Sequence, residues 1–232
     1  MAIRDGSKMQ SLLGQLALRP VGVRRETLLS ILWPDREAAL AGQSLNTLVY
    51  SARESLGDEI GGASPVLQSC GYYRLNLEAG IAVDLARFES LTEEGHRLVS
   101  ADDPEGASRA YRQALACYCG DLALDGDVST LIERERLRCL CLTVLAYLAD
   151  QRFRVADYAG AQDYALRLLS HDPCREDAHR LVMRCHVRRG ERAQALRQYR
   201  LCEEILGSYF QAPPEPATKV LFDQVRLDPS AI

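Results

Sequence analysis

Apolar residues in the first third of the chain recur at helical spacing over short stretches, each cut off by proline or glycine. Leu12, Leu13, Leu16 and Leu18 mark one helix over about residues 11–18. It must stop at Arg19-Pro20, because proline lacks the N–H that a helix needs and its ring clashes with the preceding turn. Beyond Gly22 a second short helix runs from Arg24 to Trp33 and is closed by Pro34, with Leu28, Leu32 and Trp33 facing inward. A third helix is predicted from Ala38 to Leu56, stopped by Gly57. In it Leu45, Leu48, Val49, Ala52 and Leu56 follow the i, i+3, i+4, i+7, i+11 spacing of one buried stripe. Its opposite side carries Gln43, Asn46, Thr47, Tyr50, Arg53 and Glu54. Pro65 to Leu77 then alternates about Gly71, the pattern of a β-hairpin. Three helices followed by a hairpin is the order of a winged helix, in which the third helix enters the DNA major groove.

Past residue 100 the pattern becomes repetitive. The stretch from Asp157 to Pro173, with Ala161, Tyr164 and Leu168, falls into register with Arg192 to Tyr199, and Ala161 and Ala195 stand 34 residues apart. That interval is the tetratricopeptide period, a helix–turn–helix unit that buries its apolar face only by stacking on copies of itself. A displaced copy occupies Asp103 to Ala114, where Ala107 precedes Ala161 by 54 residues, one repeat plus an insertion of 20. The predicted fold is mainly α: a winged helix-turn-helix with a small β-hairpin over residues 1–82, then a tetratricopeptide-like helical domain over residues 83–232.

Bulk composition is compatible with this division. A chain of 232 residues, 47% hydrophobic and 26% charged, suits two modest globular domains. No apolar run approaches the ~20 residues that span a bilayer, and the N-terminus lacks a signal-peptide pattern. The expectation is a cytoplasmic protein without a membrane partner. Eight cysteines include the pairs Cys117/Cys119 and Cys139/Cys141. On a helix, residues two apart point about 200° away from each other, so a single metal ion cannot easily take both. Free thiols packed between helices are expected, with no metal and no cofactor. His171 with Cys174, and Cys185 with His186, are weaker ligand candidates still.

The charged residues point in two directions. Net charge is −4, and residues 1–85 hold eight cationic against nine acidic side chains, a poor balance for neutralising phosphates. Arg24 and Arg25, at the start of the second helix, are the best phosphate candidates. The polar face of the third helix has side chains that can hydrogen-bond base edges, or it is an ordinary solvated face. The densest basic region is residues 175–200, with eight arginines against Glu176, Asp177 and Glu191. In it Arg180, Arg184 and Arg188 recur every four residues and so share one helical face. That face is either laced with ion pairs or a docking surface for an acidic partner. The aspartate-rich stretch from Gly120 to Val128 lacks the ligand order of a calcium loop and is read as a spacer between repeats. Glu133 to Arg138 reads as a solvated first turn of the next helix. The chain has no phosphate loop, no GxSxG and no His/carboxylate pair at useful spacing, so no enzymatic activity is expected.

Several ordered motifs carry a family resemblance. Leu16 to Pro20, Arg25 to Leu29, Leu32-Trp33-Pro34-Asp35, Ser44 to Thr47 and Gly71 to Leu75 together resemble the DNA-binding half of SARP-type bacterial transcriptional activators. Val83 to Glu89, Ala114 to Leu122, Arg175 to Met183 and Ala195 to Tyr199 resemble their bacterial transcriptional activation domain, a tetratricopeptide-like module. The resemblance covers about residues 9–225. It implies binding of promoter DNA by the winged helix, with the helical module contacting RNA polymerase or another protein, forming a homodimer, or receiving a signal. Carried over residue by residue, it places Asn46, Thr47, Tyr50 and Arg53 at the bases, with Gln43 on the same face and Arg24 and Arg25 as the phosphate candidates. Tyr72 and Arg74 would lie on the hairpin, against the minor groove or the backbone. In two respects the chain departs from the family. Only Met1 to Lys8 precede the first helix, so the strand-rich stretch of relatives is expected to be missing and the hairpin to lack a partner strand. The recognition helix of relatives ends in a basic run, whereas here Tyr50 to Ser55 offers Arg53 and then Glu54. These departures motivate an alternative reading, a non-DNA-binding adaptor whose repeats hold a protein or a small ligand.

Overall fold

The computed structural model describes residues 7–121 and 127–229. They fall into two compact units. One comprises the described residues of 1–91 and 113–138, the other residues 92–112 and the described residues from 139 onward.

In the first unit, helix α1 (Lys8–Leu18) begins three residues before the apolar pattern does, because the Ser7 hydroxyl accepts a hydrogen bond from the Gln10 N–H at 3.2 Å and caps it. Strand β1 (Val23–Arg24) leads directly into α2 (Arg25–Leu32), and α3 (Ala38–Leu56) follows. Strands β2 (Val66–Ser69) and β3 (Tyr72–Leu75) form the expected hairpin. Its two turn residues, Cys70 and Gly71, both have positive φ, 49° and 79°. This is the mirror-image turn whose twist matches that of the strands it joins. The expectation that the hairpin lacks a partner is wrong. Strand β1 pairs antiparallel with β3, Val23 opposite Tyr73 and Arg24 opposite Tyr72, giving a three-stranded sheet in the order β1-β3-β2. A two-residue strand is too short to alternate visibly, and only its partner reveals it.

One core of this unit draws on α1 to α3 and all three strands: Leu12 and Leu16, Val23, Leu28 and Leu32, Leu45, Val66, Tyr73 and Leu75 are all buried. Trp33, Leu48 and Val49 pack against it but stay partly exposed. The predicted stripe of α3 is therefore fully buried only at Leu45 and Ala52.

Helices α4 (Asp84–Ser100), α5 (Pro104–Cys117) and α6 (Val128–Arg154) contribute residues to both units. The start of α6 lies five residues before Glu133 and is joined to α1. Asp127 caps it by accepting from the Thr130 N–H at 3.0 Å and pairs with Arg19 at 3.0 Å. The Thr130 hydroxyl meets the Gln15 amide, 3.3 Å from Nε2, and both side chains are fully buried. The stretch read as an inter-repeat spacer falls partly on residues 122–126, outside the described residues.

The second unit continues with α7 (Tyr158–His171), α8 (Glu176–Arg188), α9 (Arg192–Phe210) and α10 (Pro216–Leu227). It repeats one local design three times. The turns entering α5, α7 and α9 each place one residue in the left-handed region: Asp102 (φ 57°), Ala156 (φ 61°) and Gly190 (φ 76°). After each, the next residue's N–H reaches back five positions: Asp103 to Leu98 O, Asp157 to Arg152 O and Glu191 to His186 O, at 2.9, 2.9 and 2.8 Å. This is the Schellman closure of a helix C-terminus. Asp103 and Asp157 then cap the following helix through the N–H groups of Gly106 and Gly160. Five residues past each left-handed residue sits a completely buried alanine: Ala107, Ala161 and Ala195. The 54- and 34-residue intervals read from the alanines are thus also the intervals between the turns. Cys139 is exposed while Cys141, two residues on, is buried, and the eight cysteines are free thiols.

Candidate nucleic-acid interface

The exposed side of α3 is a straight consequence of its apolar stripe. With Leu45 and Ala52 turned to the core, Gln43, Asn46, Thr47, Tyr50 and Arg53 all lie exposed at spacings of three and four, and Tyr50 keeps 63% of its surface. Two hydroxyls are spent inside the helix: Thr47 donates to Gln43 O at 3.1 Å and Ser44 to Leu40 O at 3.0 Å. Ser44 also accepts from Arg36 at 2.9 Å. Thr47 therefore has only acceptor lone pairs and a methyl group left for a ligand. Among the described residues, the side chains of Gln43, Tyr50 and Arg53 have no intramolecular hydrogen bond or ion pair. Glu54 is exposed beside Arg53, so the far end of the stripe carries both signs of charge.

The sheet sets a second group beside this helix. The Arg24 Nε donates to the Tyr72 hydroxyl at 2.8 Å, and its guanidinium lies 5.6 Å from the centre of the same ring. That hydrogen bond holds the guanidinium above its ordinary pKa. The next residue behaves differently. Arg25 donates from Nη1 to the Tyr73 hydroxyl at 2.9 Å and to Asn46 Oδ1 at 3.3 Å. Its guanidinium fits there because residue 42 is glycine: a Cβ on Gly42 would lie 2.5 Å from Arg25 Nη2. Arg74 stands at 3.8 Å from Glu78, a loose exposed pair. Tyr73 and Gly42 were not among the residues singled out from sequence. Gly42 did leave a signal, since a glycine inside a 19-residue helix costs stability without an evident local reason.

The arginine face of α8 divides. Arg180 is mostly buried, paired with Glu215 and donating to the Thr218 hydroxyl at 2.9 Å. It ties α8 to the start of α10. Arg184 and Arg188 are exposed and have no ion pair among the described residues. Elsewhere in the basic region Arg175 pairs with Asp177, Arg189 with Glu191, and Arg192 donates to Val225 O and Arg226 O at the end of α10. The Arg175 hydrogen bond holds the Asp177 carboxyl below the usual carboxylate range. Four of the eight arginines of residues 175–200 are thus engaged internally, through Asp177, Glu215, Glu191 and the end of α10. Among the described residues no three His, Cys, Asp or Glu side chains converge as a metal site, and no helix is long and apolar enough to cross a membrane.

The family model of the bacterial transcriptional activator domain matches residues 83–226. Regulatory protein DnrI of Streptomyces peucetius is 29% identical over 180 residues, which cover 74% of this chain and 66% of DnrI. Regulatory protein AfsR of Streptomyces coelicolor is 26% identical over 206 residues, 88% of this chain but 20% of AfsR. Among solved structures, Mycobacterium tuberculosis EmbR, in complex with a low affinity phosphopeptide, superposes with a TM-score of 0.73 at 21% identity, covering 99% of this chain and 62% of EmbR. The chain therefore spans about two thirds of DnrI and a fifth of AfsR.

Proposed function

This chain belongs to the bacterial transcriptional activator domain family, among SARP-type regulators, and we propose that it regulates transcription by binding promoter DNA. The DNA-binding part is residues 1–82, and residues 83–232 form the module that meets a protein partner. One observation carries the reading: Gln43, Asn46, Thr47, Tyr50 and Arg53 form an uninterrupted exposed stripe on α3, flanked by the Arg24–Tyr72 pair of the sheet. A helix about 10–12 Å across fits the major groove. Seated there, the stripe faces the bases. Arg24, Tyr72 and Arg74 then lie beside the groove on the sheet side. Arg184 and Arg188 supply the remaining free cations on α8, for an acidic surface of RNA polymerase or of another protein, and a second copy of the chain is a further candidate partner.

Fluorescence anisotropy with labelled promoter fragments tests this. Binding should weaken steeply with salt, since each phosphate contact releases counterions and the log–log slope is about −0.9 per contact. Absence of salt-sensitive binding even at low ionic strength would refute it. Two observations favour the adaptor alternative. Glu54 is exposed at the end of the stripe, and acids slightly outnumber cations over residues 1–85. In that case the titration is flat and a protein or small ligand is retained by the repeats.

A further inference from the structure

Arg25 stands where a phosphate contact is expected, but its guanidinium is turned inward. It bridges two elements: the phenol of Tyr73 on β3, whose ring is 1% exposed, and the side-chain carbonyl of Asn46 in the middle of the exposed stripe of α3. The cavity that receives it exists only because Gly42 has no side chain. We propose that Arg25 is a positioning residue for base recognition: braced by Tyr73, it fixes the amide plane of Asn46, so that sequence discrimination at one base pair depends on Arg25, Tyr73 and Gly42, none of which touches that base. This rests on the DNA-binding reading above.

The physical basis is the cost of freezing a side chain. An exposed asparagine amide can rotate and exchange its oxygen and nitrogen, presenting a donor or an acceptor to the groove. A guanidinium donates only, so a bond to Asn46 Oδ1 identifies which end of the amide is the oxygen and opposes its rotation. The NH2 end is thereby held in one direction, and the entropy of ordering it is spent in the free protein, not on binding. Arg25 is held in turn by a hydroxyl on a buried ring, which cannot move with the helix surface. Its Cα anchor is equally fixed, because the Arg25 N–H donates to Gly71 O at 2.9 Å in the hairpin turn. Hairpin turn, second helix and recognition helix are thus coupled through one side chain.

The decisive variant is Gly42→Ala. The only atoms that its Cβ meets within 4 Å are Arg25 Nη2 and Cζ, the far end of a flexible chain. Arg25 swings out, and alanine in place of glycine within a helix favours folding. The expected result is a protein at least as stable as the parent that discriminates less well. A randomised duplex DNA library is selected with the unmodified full chain, and single base-pair variants of the enriched sequence are titrated against each protein. Asn46→Ala identifies the base pair that it reads. Gly42→Ala and Tyr73→Phe should lose discrimination at that same base pair, by roughly tenfold for the former and less for the latter. The Gly42→Ala/Asn46→Ala double variant should lose no more than Asn46→Ala alone. If Gly42→Ala instead weakens all sequences uniformly, Arg25 is a phosphate contact and the proposal fails. It fails equally if Gly42→Ala and Tyr73→Phe discriminate like the parent. Should the unmodified chain enrich no sequence and bind the library without salt dependence, the DNA-binding reading itself falls and takes this proposal with it.

Discussion

The three equivalent turns of the helical repeats differ in one respect that can be measured. Asp102, Ala156 and Gly190 occupy the same left-handed position, closed by the same back-bonds. For alanine this conformation brings Cβ against its own carbonyl oxygen, at a cost of about 1–2 kcal/mol. Replacing Ala156 by glycine removes that cost. Against it stands the greater freedom of glycine in the unfolded chain, about 0.4–1 kcal/mol. Ala156 is exposed, so deletion of its methyl group sacrifices no packing. The net gain is about 0.5–1 kcal/mol, or roughly 2 °C in Tm for a chain of this size. The converse change, Gly190→Ala, should lose a similar amount, and nothing but φ is responsible, since a Cβ there meets no atom within 4 Å. Asp102→Gly should gain least, because aspartate tolerates the left-handed region. Urea denaturation of the three variants beside the parent provides the comparison. If Ala156→Gly is neutral or destabilising while Gly190→Ala costs nothing, the turns do not share one geometry and the repeat assignment loses its basis.

Two further outcomes follow from buried polar groups. His179 is 1% exposed, and its Nε2 lies 2.9 Å from Pro173 O, which can only accept, so Nε2 carries the proton. Nδ1 then accepts from the Gln198 amide at 2.7 Å, and the ring is neutral. Burial lowers its pKa; stability is complete above the unfolded-state value of about 6.5 and declines as pH falls below it, by at most about 1.4 kcal/mol per pH unit. Tm measured between neutral and mildly acidic pH should show this decline in the parent and lack it in His179→Gln; identical profiles would remove His179 as its cause. At the start of α6, Thr130→Val keeps the shape but deletes the hydroxyl that meets the buried Gln15 amide and the Asp127 carboxylate. It should cost about 1–3 kcal/mol, whereas Ser129→Ala, which removes only the exposed hydrogen bonds to Asp127 and Arg19, should cost less. Equal effects in chemical denaturation would show that the α1–α6 junction contributes little.

Periodicity made most of the architecture legible. The bounds of α3, the hairpin about Gly71 and the 34-residue register could all be read from the chain, because each depends on residues near one another in sequence. The exposed stripe from Gln43 to Arg53 was legible for the same reason: a helix that buries Leu45 and Ala52 has no choice about what it shows to solvent. Several things were not legible. Strand β1 is two residues long and exists only through its pairing with β3. The attachment of α6 to α1 joins Asp127 and Thr130 to Arg19 and Gln15 across more than 100 residues, and no local pattern announces such a contact. The arginines of residues 175–200 read either as a face laced with ion pairs or as a docking surface, and only the fold divides them: Arg180 and Arg192 find partners at α10 and Arg189 on Gln162 of α7, while Arg184 and Arg188 have no ion pair among the described residues.

The sequence by itself determined where the first three helices stop and the register of the repeats, since these follow from backbone sterics and from apolar spacing within a turn or two. Only the tertiary structure decided what each polar side chain faces. Arg24 and Arg25 are adjacent in sequence and chemically identical, but one lies open on Tyr72 and the other is threaded between Tyr73, Asn46 and the space left by Gly42. The physical reason is reach: a guanidinium on a long flexible stem finds its partner among whatever groups the fold brings within a few ångströms, and that neighbourhood is set by packing between elements, not by the chain around the residue.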